Sequence, residues 1–192
     1  MGATVTFKEA NGVTPDWTTK TSTRCCAADA HNPGLNYPIP IPTSGYKYSY
    51  WKTICMELAG SFTKVSNIKV FSDGAVGFLY GSGGAFNVGI RDSGDSGLPI
   101  ESYQQADGEE GVSGYAIDDV DNGHAYYKTA PNGVANIEDY TSVSPLDFDS
   151  TEYTEAGKTK ALVFQVKLDT LANGAESGLQ NAEPVSLKYD EI

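Results

Sequence analysis

The feature that most constrains this chain is the two-residue alternation through residues 45–74, GYKYSYWKTICMELAGSFTKVSNIKVFSDG. Extended backbone sends successive side chains to opposite sides, so Lys52, Ile54, Met56 and Leu58 share one face while Trp51, Thr53, Cys55 and Glu57 share the other. This predicts a strand with one apolar face. Beyond Ala59-Gly60 the alternation resumes over 62–71, with Ile68 and Val70 opposite Lys69 and Phe71, until Asp73-Gly74 signals a turn. The rest of the chain reads as strands added to these two.

The same reading extends along the chain. Residues 3–8 form a first strand that ends at the Asn11-Gly12 turn, and the Thr- and Ser-rich stretch 18–23 suits an edge strand or an ordered loop. Strands at 76–80 and 86–90 flank Gly81-Ser82-Gly83-Gly84 as a hairpin, and 98–103 returns as another strand before an acidic loop at 104–111. Tyr115 to Ile117 and Tyr126 to Lys128 bracket a second hairpin. The clearest strand of the second half is 161–169, where Leu162, Phe164, Val166 and Leu168 oppose Val163, Gln165 and Lys167. After one helical turn at most in 170–178, the chain closes on a strand that alternates Val185, Leu187 and Tyr189. About nine or ten short strands and no useful helical run predict an all-β chain, a single β-sandwich domain over 1–192 that is jelly-roll-like. With 192 residues it can bury a core without disulfide staples.

One segment departs from this pattern. Prolines at 33, 38, 40 and 42 remove ladder donors and force an extended path, so 33–45 reads as a strap or arm. Tyr37, Pro38, Ile39, Pro40 and Ile41 on the strap, with Tyr46 and Tyr48 just beyond it, are the candidate interface residues, because aromatic and apolar groups outside a ladder suit contact with another protein. The tyrosine face also fits stacking on sugar rings, which makes a carbohydrate-binding module or adhesin the alternative reading.

Charge excludes one class of partner. A formal net charge of −12, from 25 acidic against 13 basic residues with no basic run, argues against nucleic acid. No apolar stretch is long enough to cross a bilayer, and the amino-terminal residues carry neither the positive charge nor the apolar run of a secretory signal, so no membrane partner and synthesis in a cytoplasm are expected.

The residues that could carry chemistry are sparse. Cys25, Cys26 and Cys55 do not make a disulfide framework and read as reduced thiols; Cys25 or Cys26 with His31 would be a nucleophile and base, although nothing in the sequence marks an activated thiol. Asp118, Asp119, Asp121 and Asn122 before Gly123 offer oxygens for Ca2+, as do Asp92 and Asp95, but Val120 occupies a ligand position of the usual calcium loop. No other cofactor is expected. Gly94-Asp95-Ser96-Gly97-Leu98-Pro99 resembles the nucleophile motif of chymotrypsin-like serine proteases, which implies Ser96 as nucleophile and His31 as base. Leu98 replaces the second glycine of that motif, and too few strands separate His31 from Ser96, so a solvated Ser/Gly loop is the better reading.

Tyr50-Trp51-Lys52 through Ser66-Asn67-Ile68-Lys69-Val70-Phe71, with the closing Leu187-Lys188-Tyr189-Asp190-Glu191-Ile192, resembles capsid decoration and auxiliary virion proteins of tailed bacterial and archaeal viruses. The resemblance implies a non-enzymatic β-sandwich located on the virion. Its partners would be the major capsid protein or other virion subunits, and it would be a homo-oligomer or be ordered by the lattice.

Overall fold

The computed structural model describes residues 2–13, 16–75, 77–89, 103–127, 133–178 and 182–192. Among them the chain forms twelve strands: β1 (Ala3–Asn11), β2 (Asp16–Thr19), β3 (Lys47–Tyr48), β4 (Lys52–Gly60), β5 (Val65–Ser72), β6 (Ala85–Gly89), β7 (Gly108–Glu109), β8 (Ser113–Gly114), β9 (Val134–Asn136), β10 (Leu146–Asp149), β11 (Gly157–Leu168) and β12 (Val185–Glu191). Single 3-10 turns occur at Ile137–Asp139 and Leu171–Asn173. The described residues hold no α-helix, and the fold is all-β and sandwich-like.

Nine strands form the larger sheet, in the order β2-β1-β4-β11-β3-β8-β7, with β6 pairing β11 and β9. The remaining three form a second sheet, β10-β5-β12. Every pairing is antiparallel. The alternation of β4 and β11 explains the centre: Met56, Leu58, Leu162, Phe164, Val166 and Leu168 meet Val65, Ile68, Val70 and Phe148 of the smaller sheet in one buried cluster. Burying a side chain of this size contributes roughly 1.5–3 kcal/mol, so this interlock between sheets dominates the stability.

The two strands of the opening alternation do not pair with each other. β4 joins the larger sheet and β5 the smaller, and the chain crosses between them after Gly60, whose φ of 87° is open to glycine and strained for other residues. In the smaller sheet Asn67, also at positive φ (55°), coincides with a register shift against β12 and ties to Asp190 through Nδ2 at 2.9 Å. Local alternation is the same whichever sheet a strand joins, which is why the sequence could not separate them.

β4 also has two buried faces rather than one. Tyr50, Trp51, Ala106, Ile117, Tyr127 and Val163 make a second buried cluster on the far side of the larger sheet, roofed by residues 103–127. This roof takes the place of the second predicted hairpin, and the first does not form either. Ile117 donates its N–H to the Gln165 side chain at 2.8 Å rather than to a neighbouring strand, and Tyr126 and Tyr127 lie in a turn. Of the first pair, β6 stands where expected, but of residues 77–80 only Tyr80 makes a bridge, to Ala175, and β6 pairs β11 and β9 instead. The predicted 98–103 strand lies outside the described residues except for Tyr103, which is irregular and donates its hydroxyl to Gly12 O at 2.8 Å. At the other end, β2 is an edge strand on β1 that takes in Thr18 and Thr19 of the expected 18–23 stretch, whose remainder is irregular.

Candidate functional site

The strap is pinned at both ends and raised in the middle. Pro33 and Pro42 are buried, and the half-buried Ile39 and Ile41 pack against the main core. Between these anchors the chain turns sharply: Asn36 donates its N–H to Pro33 O at 3.0 Å, Gly34 has φ 60°, and Tyr37 takes φ 56°. A left-handed tyrosine costs about 1–2 kcal/mol, and it is held because Tyr37 O accepts the Ala27 N–H at 2.8 Å. The outcome is an exposed crest of Leu35 (73% exposed), Tyr37 (38%), Pro38 and Pro40.

The predicted interface residues therefore divide. Tyr37, Pro38 and Pro40 face outward; Ile39 and Ile41 face the core. Tyr46 is exposed, but the Lys167 ammonium sits 3.8 Å from its ring centroid and occupies one face. Tyr48 is half-buried in β3 opposite Lys167, and burial, then Asp118 and Tyr46, raise its pKa. Leu35 was missed by sequence reasoning. Its only signal was its place between Gly34 and Asn36, where a turn forces a large apolar group into solvent.

A cluster of charged and polar side chains lies inside the sheet near the amino-terminal part of the chain. Glu9 of β1 and Lys52 of β4 are both 0% exposed, with Lys52 Nζ 3.6 Å from Glu9 Oε1 and also donating to Ala30 O. Asn11 Nδ2 donates to the same Glu9 oxygen at 2.8 Å, and His31 Nδ1 lies 3.6 Å from it. The other nitrogen of His31 is 3.8 Å from Asp16 Oδ2. Asp29 ties the neighbouring loop down, accepting from Gly12 N at 2.8 Å and Gln105 Nε2 at 2.7 Å. The cluster exists because antiparallel register aligns Glu9 with Ile54 and Ala10 with Thr53, bringing the carboxyl-terminal end of β1 beside the start of β4.

The thiols are unsuited to nucleophilic work. Burial, against the opposing pull of Lys52, pushes Cys25 up to about 11, burial raises Cys26, and burial pushes Cys55 up to about 12. All three are free. The Ser96 half of the protease pairing, and Asp92 and Asp95, lie outside the described residues.

In the other acidic loop Asp119 Oδ1 accepts the N–H groups of Asp121 and Asn122 at 3.0 and 2.8 Å, so that carboxylate caps its own turn. Asp121 and Asn122 line an open cleft of about 460 Å³ with Gln104, Gln105, Ala106, Asp107 and Gly123. Among the described residues no group of three or more His, Cys, Asp or Glu is arranged to hold a metal ion.

No protein-family model, no curated protein and no solved structure matches the chain.

Proposed function

We propose that this chain is a non-enzymatic structural protein that decorates or stabilises a capsid surface, gripping neighbouring subunits with the crest of its strap. The observation that carries the reading is the crest itself. Leu35, Tyr37, Pro38 and Pro40 stand out of the protein on a backbone fixed by buried prolines, half-buried isoleucines and a left-handed tyrosine. Backbone strain of this kind persists where the surroundings impose it, and it clusters at binding segments. A rigid apolar and aromatic ridge loses little conformational entropy on docking, which favours affinity. The partner surface would be apolar at its centre and neutral or basic at its rim, given the net charge of −12. The raised thiols of Cys25 and Cys55 support a role without catalysis by those groups. Against the sugar-binding alternative, Lys167 covers one face of Tyr46.

The test is co-sedimentation of the chain with empty shells assembled from a major capsid protein taken from the genome that carries its gene. The wild-type chain travels with the shells, and Leu35→Asp with Tyr37→Ala stays behind while keeping its fold. A chain that never joins the shells, or a double variant that joins as well as wild type, refutes the reading. Glycan-array binding lost on Tyr48→Ala would favour the carbohydrate alternative.

A further inference from the structure

The buried cluster brings together an amine, a carboxyl group and a carboxamide. A single oxygen, Glu9 Oε1, lies 3.6 Å from Lys52 Nζ and 2.8 Å from Asn11 Nδ2, touching both a group able to attack and a group able to leave. Glu9 and Lys52 are fully buried and Asn11 nearly so. The register of β1 against β4 runs to Ala10 opposite Thr53, and continued by one step it would bring Asn11 beside Lys52, on the face that Glu9 occupies. Four polar atoms of this cluster have no hydrogen-bond partner, Glu9 Oε2, Asn11 Oδ1 and both ring nitrogens of His31, although buried polar atoms are nearly always paired. An ion pair in such a place stabilises little compared with apolar packing, so stability alone gives a poor reason for it.

We infer that Lys52 and Asn11 become joined by a side-chain isopeptide bond, with Glu9 moving the protons. Lys52 Nζ first passes a proton to the Glu9 carboxylate, leaving a neutral amine and a neutral acid, a pair that a dry site accommodates better than two charges. A turn of the Asn11 amide sets Oδ1 against the protonated carboxyl, which donates to it and draws electrons from Cγ. The Nζ lone pair attacks Cγ, the Cγ–Nζ bond forms, and the carbonyl electrons move onto Oδ1. Glu9 takes the second proton from Nζ and delivers its own to Nδ2. The carbonyl re-forms, the Cγ–Nδ2 bond breaks, and ammonia leaves. Nothing is oxidised or reduced, Glu9 ends as the neutral acid, and the product is a secondary amide that carries no charge in the buried site.

One competing reaction releases the same ammonia. In Asn11-Gly12 the Gly12 nitrogen can attack Asn11 Cγ to close a cyclic imide, but here the Gly12 N–H is held by Asp29 Oδ2 at 2.8 Å.

The test is intact-mass spectrometry of the folded full chain, followed by tandem spectrometry of its tryptic peptides. The expected mass is one ammonia below the sequence mass, with a branched peptide linking Asn11 to Lys52 and no tryptic cut after Lys52. Glu9→Gln and Lys52→Met should each carry the full mass expected of its sequence. A folded wild-type chain at full sequence mass overturns the proposal without any variant. So does an ammonia loss that survives Lys52→Met, which assigns the loss to the imide.

Discussion

Single side chains set two properties of this protein, its response to pH and the chemistry of its interior. Glu138 and Glu183 each bury a carboxyl oxygen with no hydrogen-bond partner. Burial, then the charges of Glu183, Asp139 and Asp73, push Glu138 from 4.5 up to about 7. The folded chain therefore keeps that proton in a range where the unfolded chain has lost it, so the stabilisation is complete below about pH 4.5 and disappears as pH rises through about 7. With allowance for solvent screening of a half-exposed group the effect is about 1 kcal/mol, or roughly 2–4 °C in Tm for a chain of this size. Glu138→Gln should flatten the fall in Tm between pH 5 and pH 8 by that amount in thermal melts. An unchanged slope contradicts the assignment. The sequence concealed the other residue-scale property, because Lys and Glu are almost never fully buried and a reader places Lys52 and Glu9 in solvent. Only the long-range pairing of β1 with β4 puts them together.

At the scale of elements, β11 does more than alternate. Its Gln165 is 0% exposed and makes three bonds, accepting from Ile117 N at 2.8 Å and donating to Ser49 O at 2.8 Å and Tyr115 O at 2.7 Å. One side chain thus fastens the roof of residues 103–127 to the larger sheet. Gln165→Leu keeps the volume but strands two buried backbone groups and one part-buried one, and the expected loss is about 3 kcal/mol in a denaturant melt. Limited proteolysis should cut the 103–127 segment well before the strands. A variant as stable and as protease-resistant as wild type would show that the roof is held by its apolar contacts instead. β1, β4, β11 and β12 were legible because a period of two is a local property. The roof was not, since Tyr115 and Ile117 alternate like a strand yet bond to Gln165 of a distant element, while Tyr126 and Tyr127 bond back to His124 in a turn. Pro33 to Pro42 was legible as an extended segment, whereas its division into crest and anchors depended on which isoleucines reached the core.

The molecule as a whole is a large sheet buried on both sides, by a smaller sheet and by a roof, with a strap across it that carries apolar groups into solvent. Val13, Val120, Val143 and Leu171 are exposed singly, as scattered apolar residues commonly are. The crest differs in placing Leu35, Tyr37, Pro38 and Pro40 within six consecutive positions on one fixed turn. If this ridge is the contact, a neighbouring subunit must shield it. Hydroxyl-radical footprinting of the chain, free and bound to capsid shells, measures that shielding residue by residue. The account predicts strong protection of Leu35, Tyr37 and Pro38 on binding and little change at Ile39 and Ile41, which are already turned toward the core. Protection confined to other surfaces, with the crest as reactive on the shell as in solution, would contradict it.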